Sequence, residues 1–265
     1  MQEIISIQNL ACGYQEENII SGIDIILRKG DFAGIIGPNG SGKSTLFKVL
    51  GSELVARTGY VLLNNRKLED YTLREKARQI AIVPQFPVLS VMSVEEYVLM
   101  GRLPYRKAFR FFNTKEDLEI VHDCMRMTGI SHLRSHPVTE LSGGEQQMAG
   151  IACALAQKPK ILLLDEATSH LDITHQTRIM NLLQKLNEEE NLTVLMIIHD
   201  LNMAAEYCHH LIMMQKGTVY KQGTPSEVLL SEHIEAVYET VVIVQNNPAS
   251  GNPLIFPVSD KYLSK

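Results

Sequence analysis

No apolar run in the chain approaches the roughly 20 residues that span a bilayer. The longest, such as Val194 to Ile198, are strand-sized, so the protein reads as soluble or peripheral. Cysteine is scarce: Cys12, Cys124, Cys153 and Cys208 lie far apart and form no C-x-x-C pair. That spacing argues against a disulfide framework or a zinc site and fits a reducing compartment. Basic charge is not in excess. With 25 Lys and Arg against 30 Asp and Glu, the net charge is −5, which offers no broad nucleic-acid-binding surface. Met1-Gln2-Glu3-Ile4 shows no basic start followed by an apolar stretch, so no signal peptide is visible. Internal repeats, low-complexity segments and long linkers are also missing. What is present is a 45% hydrophobic chain of 265 residues, enough for a real core in one large domain or two small ones.

The most informative stretch is Gly37-Pro38-Asn39-Gly40-Ser41-Gly42-Lys43-Ser44-Thr45, which fits G-x-x-x-x-G-K-[ST]. Phe32 to Ile36 before it reads as a buried strand, and Leu46 to Leu50 after it as the first turns of a helix. The glycines let backbone N–H groups turn inward around a polyphosphate. The helix start aims its free N–H groups and positive dipole end at the same anion. Lys43 adds a mobile charge for the outer phosphates, and the Ser44 hydroxyl can ligate Mg2+. The bland alternative is a glycine-rich turn that happens to carry a lysine.

Around this loop, residues 3 to 10 and 23 to 27 read as strands. Tyr14 sits just past the first, placed either to stack on an adenine ring or as an ordinary strand-edge tyrosine. Gly59 to Leu63 and Ile80 to Val83 read as strands and Leu73 to Arg78 as a short helix. Pro84 stops the ladder, and Gln85 stands at its mouth as a metal-reaching amide or a plain loop residue. From about Phe86 to Pro159 the strand signal fades. Val94 to Met100 and Leu118 to Met127 carry helical periodicity, with Leu118, Val121 and Met125 on one face. His132 and His136 lie four apart without an acidic companion, which fits a surface helix end better than a metal site.

Leu141-Ser142-Gly143-Gly144-Glu145 opens the next helix, whose Met148, Ile151, Ala152 and Leu155 form an apolar face. Ser142 with Glu145 fits a capping box. Capping does not explain Gly143 and Gly144, since each glycine costs about 1 kcal/mol relative to alanine in a helix. Two glycines at a capped start imply that an anion approaches the backbone closely. Ile161 to Leu164 reads as a buried strand followed directly by Asp165 and Glu166. On an extended strand these would point opposite ways, one toward a Mg2+ shell and one toward an attacking water. Asp172 precedes a helix from Ile173 to about Glu189 with Ile179, Leu182, Leu183 and Leu186 inward. Thr193 to Ile198 is a further buried strand ending at His199-Asp200. Polar residues gathered at strand carboxyl ends mark the ligand edge of an open α/β sheet. In the tail, Leu211 to Met214 and Thr218 to Lys221 read as strands around Gly217, Pro225 to Tyr238 as helix, and the rest as extended or loop.

The whole chain resembles the ATPase subunit of ATP-binding cassette transporters. The phosphate loop is shared by many nucleotide enzymes. The Leu141 to Glu145 signature, in this order and followed by the acidic strand, is specific to that family. The resemblance implies an α/β fold, a P-loop NTPase (RecA-like) core with an antiparallel β subdomain and an inserted α-helical subdomain. It places the core lobe at 1–85 and 159–240, the helical subdomain at 86–158 and a C-terminal extension at 241–265. By the same resemblance Tyr14 is the adenine-stacking aromatic and Gln85 the Q-loop glutamine. Asp165 belongs to the metal shell, Glu166 is the catalytic glutamate, Ser169 to Asp172 the D-loop and His199 the switch histidine. Gly101-Arg102-Leu103-Pro104-Tyr105 and the ending Gly251 to Pro257 resemble the subgroup that serves bacterial importers for iron-siderophore, haem or cobalamin. Met148 and Cys153 stand where that family usually has arginines, and Ala167 where it usually has proline.

The resemblance further implies ATP and Mg2+ as ligands, with Ser44, Gln85 and Asp165 around the metal. It implies a head-to-tail homodimer in which Ser142, Gly143, Gly144 and Glu145 of one copy meet the ATP of the other. A membrane-embedded permease dimer would dock near Gln85, and an extracytoplasmic binding protein would act indirectly. No nucleic acid is expected, and the location would be the cytoplasmic face of the inner membrane. One alternative keeps the cassette but has it act on ribosomes or DNA. Another, a RecA-like or kinase-type phosphate-loop enzyme, gives Ser142 to Glu145 no role.

Overall fold

The computed structural model describes residues 2–85, 91–106, 113–169 and 171–262. Outside them lie Met1, two stretches of the expected helical insertion (86–90 and 107–112), His170 of the D-loop and the last three residues. The chain divides into two compact units, Met1–Glu69 with Leu195–Lys265, and Asp70–Val194.

The first unit begins with a long hairpin, β1 (Glu3–Tyr14) and β2 (Glu17–Arg28). Its inward residues Ile5, Ile7, Leu10, Ile20, Ile23, Ile25 and Leu27 are essentially solvent-free. The five-residue strand β3 (Phe32–Ile36), buried throughout, feeds the phosphate loop and α1 (Lys43–Leu50). β4 (Thr58–Leu63) pairs antiparallel with β1 and then with the short β5 (Arg66–Lys67), completing a sheet in the order β2-β1-β4-β5. α1 packs on the β1–β2 hairpin.

The second unit opens with α2 (Leu73–Ala77) and β6 (Ile80–Val83). Helices α3 (Val94–Leu99), α4 (Lys115–Met127) and α5 (Gly143–Ala156) then pack together around Val98, Val121, Met125, Met148 and Ile151. Each of the three starts on a reciprocal cap, Ser93 with Glu96, Thr114 with Asp117 and Ser142 with Glu145. Met148 is buried in this apolar cluster. β7 (Ile161–Leu164), wholly buried, pairs parallel with β6, and α6 (Ile173–Glu190) follows it. α6 buries Ile179, Leu183 and Leu186 as its periodicity predicts, with Leu182 half-buried beside them.

β8 (Thr193–Ile197) carries the chain across the division. Back in the first unit come α7 (Leu201–Tyr207), β9 (His210–Gln215) and β10 (Thr218–Gly223). β9 pairs parallel with β3 and antiparallel with β10. The β9–β10 turn has Lys216 at φ 46° and Gly217 at φ 79°, the two positive φ values of a tight primed turn. The single helix expected over Pro225 to Tyr238 is two: α8 (Pro225–Val228) and α9 (Ser231–Tyr238). The break falls where Leu229 is driven fully inside and leaves helical geometry. The tail expected as extended or loop is a hairpin, β11 (Val242–Asn246) with β12 (Pro253–Pro257). Its two prolines sit at the ends of an edge strand, where no ladder donor is required.

Candidate functional site

In the first unit the phosphate loop is shaped by backbone contacts. Gly37 has φ 147°, and a Cβ there would sit 2.3 Å from the Met214 carbonyl oxygen of β9. Gly42, the N-cap of α1, has φ 99° and would drive a Cβ to 2.5 Å from Ile20 of β2. The N–H of Gly217 donates to the Ser41 carbonyl at 3.2 Å, and the Gly217 carbonyl accepts from the Ser21 N–H at 2.9 Å. β2, the loop and the β9–β10 turn are thus stitched together. Gly37→Ala is expected to lower stability by at least about 1 kcal/mol through backbone strain alone. Thermal melting of the purified variant reads this directly.

Lys43 is buried, and its ammonium donates to the carbonyls of Gly37 at 2.8 Å and Pro38 at 2.9 Å. These neutral acceptors are weaker partners than a phosphate oxygen would be. The buried Ser41 hydroxyl has no hydrogen-bond partner among the described residues, an orphan polar atom inside the loop. Ser44 stands exposed on the first turn of α1. Asn39 and Gly40 are exposed at the loop's tip, whereas Thr45 is buried. Tyr14 closes β1 with 44% of its surface open, and its hydroxyl accepts from the Lys48 ammonium at 3.0 Å. Lys48 lies one turn after Ser44 on α1 and anchors the aromatic; sequence reading did not single it out. His199 is exposed just past β8, and Asp200 beside it caps α7 by accepting from the N–H groups of Asn202 and Met203.

In the second unit the Gln85 amide donates to the Glu166 carboxylate at 2.8 Å, which brings together two residues predicted to share a task. The expectation that Asp165 and Glu166 diverge as neighbours on an extended strand needs correction. β7 ends at Leu164, and Glu166 has φ 50°, a left-handed conformation that a non-glycine residue adopts under constraint. A turn, not the pleat, sets the two carboxylates apart. Ala167 behind them is buried.

The α5 start is capped as predicted. The Ser142 hydroxyl and N–H donate to the Glu145 carboxylate at 2.6 and 2.9 Å, and the Glu145 N–H donates back to the Ser142 hydroxyl. The bonds from Ser142 hold the Glu145 carboxyl below its usual range. For one of the two glycines the structure gives a reason other than the one expected. Gly143 is exposed, with nothing nearer than Leu171 at 3.9 Å to an added Cβ. Gly144 is buried, and a Cβ there would meet the His175 ring at 2.3 Å. His175 in turn is bonded to Asp172, the cap of α6, through both its backbone N–H and its ring Nδ1. Those bonds from His175 hold the Asp172 carboxyl below its usual range. The i, i+3 spacing of Asp172 and His175 was a visible cap signal; the contact with Gly144 was not.

Ser44, Asp165 and Gln85 all offer oxygen donors, the chemistry a hard cation such as Mg2+ takes. Among the described residues no cluster of three His, Cys, Asp or Glu side chains could hold a metal by itself.

A phosphate loop with its lysine in one unit, and in the other a capped, glycine-opened helix start and a carboxylate turn, are the features of a nucleotide-hydrolysing cassette. The family model for ABC transporters matches residues 20–169, more than half of the chain. The ferric enterobactin transport ATP-binding protein FepC of Escherichia coli is 38% identical over 252 residues, covering 95% of this chain and 93% of FepC. Among solved structures, a transporter described as of the metal-chelate type, in an inward-facing conformation, superposes with a TM-score of 0.86 at 28% identity. It covers 99% of this chain and 100% of its own. The cassette MJ0796, in a dimeric post-hydrolysis state bound to ADP and Pi, superposes with a TM-score of 0.73 at 31% identity. It covers 83% of this chain and 98% of its own. The chain belongs to the ABC transporter family and carries its ATPase domain.

Proposed function

We propose that this chain is the ATP-hydrolysing subunit of a bacterial importer for metal chelates, of the iron-siderophore, haem or cobalamin kind. The observation that carries the reading is a pair of helix starts built for anions on one chain. One follows the phosphate loop at Gly42–Lys43; the other is the exposed, capped Ser142–Gly143 start of α5. A chain with both can hold one ATP and complete the site of a second copy, head to tail. The α-helical block at 86–158 would carry the second start, residues 1–85 and 159–240 the first, with 241–265 as an extension.

Each residue then has a task. Lys43 exchanges the Gly37 and Pro38 carbonyls for outer phosphate oxygens, and the Gly37 to Thr45 backbone cradles the rest. Tyr14, steadied by Lys48, stacks on the base. Glu166 takes the proton of the attacking water as general base, with Gln85 fixing its carboxylate. His199 orients the γ-phosphate, and Ser142 to Glu145 of the partner copy close the far side. Ser44, Asp165 and Gln85 would hold Mg2+, which when bound neutralises charge on the β- and γ-phosphates. The D-loop at Asp172 faces the second copy.

Among the described residues no helix is long and apolar enough to cross a membrane. We place the subunit peripherally on the cytoplasmic face, against a permease dimer that an extracytoplasmic binding protein loads. The likeness to a transport subunit supports this over the ribosome- or DNA-directed alternative. Purified from its native membrane, the chain is expected to bring down a polytopic membrane protein, with hydrolysis stimulated by binding protein loaded with metal chelate. Salt-sensitive association with ribosomes or DNA, and no membrane partner, would overturn the assignment.

A further inference from the structure

We infer that His175 is a positioning residue that locks the signature start of α5 to the D-loop cap of α6 inside one subunit. The inference rests on the head-to-tail pairing proposed above. The two elements that pairing offers to a second copy are then presented as one body.

The geometry is specific. His175 sits on the first turn of α6, and its Nδ1 lies 2.8 Å from the Asp172 carboxylate, so Nδ1 carries the proton and donates. The same carboxylate group accepts the His175 backbone N–H at 2.9 Å. The imidazole cannot swing while both bonds hold. Its other edge, Cδ2 and Nε2, lies over Gly144, where an added Cβ would come to 2.3 and 2.8 Å. No real Cβ fits at such distances, and the obstacle is a ring pinned at its far side. Gly143, by contrast, has open space above it. The two glycines therefore serve different masters: Gly143 leaves the helix start open outward, and Gly144 admits the histidine from behind. One side chain thus touches both the D-loop cap and the signature backbone.

A histidine that merely capped α6 would matter for stability and nothing else. The two roles separate in a hydrolysis-arrested background. Full-length protein with Glu166→Gln is titrated with ATP and Mg2+, and dimer formation is followed by analytical ultracentrifugation. Adding His175→Ala is expected to weaken dimerisation about tenfold, the size of an ordinary coupling between two sites. ATP binding to the monomer, measured by calorimetry, should stay within about twofold, since no phosphate-loop contact is touched. His175→Asn, whose amide can still donate to Asp172, should recover part of the loss. Equal dimerisation of the arrested protein with and without His175→Ala would overturn the inference. Failure of the arrested protein itself to pair would instead overturn the proposed function. A second measurement probes the contact without catalysis or pairing. Gly144→Ala is expected to lower the melting temperature clearly in the wild-type chain and much less beside His175→Ala. An equal drop in both backgrounds would also overturn the inference.

Discussion

Glu166→Gln is expected to cut ATP hydrolysis by roughly 10²- to 10⁴-fold, the range a positioned general base contributes. Binding of ATP should survive, and closed dimers should accumulate. The structure explains why this substitution is clean. Gln85 donates to one oxygen of the Glu166 side chain, and an amide oxygen at the same place still accepts that bond. The left-handed backbone at φ 50° asks no more of glutamine than of glutamate. The substitution removes the capacity to take a proton together with the carboxylate's negative charge. Steady-state phosphate release, read beside size-exclusion chromatography with ATP, checks both halves. Wild-type turnover in this variant would remove Glu166 from the catalytic role.

Lys43→Ala is expected to weaken ATP binding about 10- to 150-fold, because a hydrogen bond to a charged partner contributes about 1.5–3 kcal/mol. The lysine is buried, yet its ammonium rests on two neutral carbonyls of its own loop. On the proposed function these contacts would be traded for phosphate. Removing the side chain leaves the Gly37 and Pro38 carbonyls without that donor, so a small loss of stability should accompany the loss of affinity. Calorimetric titration with ATP, on protein whose melting is recorded in parallel, separates the two. Unchanged affinity would rule out the loop as the nucleotide site.

Much of this was legible because local pattern and tertiary need agreed. Phe32 to Ile36, the glycine loop and the helix behind it follow one another as the motif demands, and the capping residues stand where the helices begin. Legibility failed where a distant contact set the local geometry. β1 and β2 run to twelve residues each, longer than the periodicity predicted. Register shifts near Leu10 and Cys12, with Asn9 at φ 43°, break the alternation by which a strand is recognised. The turn at Glu166 was mistaken for pleat because nothing in the residue types marks a left-handed glutamate. Gly144 was assigned to an incoming anion, since the ring that fills its space belongs to a helix much later in the chain. The Tyr14–Lys48 bond escaped for the same reason.

The splicing of the phosphate loop into β2 and the β9–β10 turn has a thermodynamic consequence. Backbone that is already tied at Gly37, Ser41 and Gly217 has little disorder left to surrender when a ligand arrives. Affinity is then spent on the ligand rather than on folding its receptor, so capture should carry a small entropic penalty and little lag. On the proposed head-to-tail pairing, the slow, energetically demanding part of the cycle would fall to the meeting of two subunits, which is where a transporter can couple it to movement.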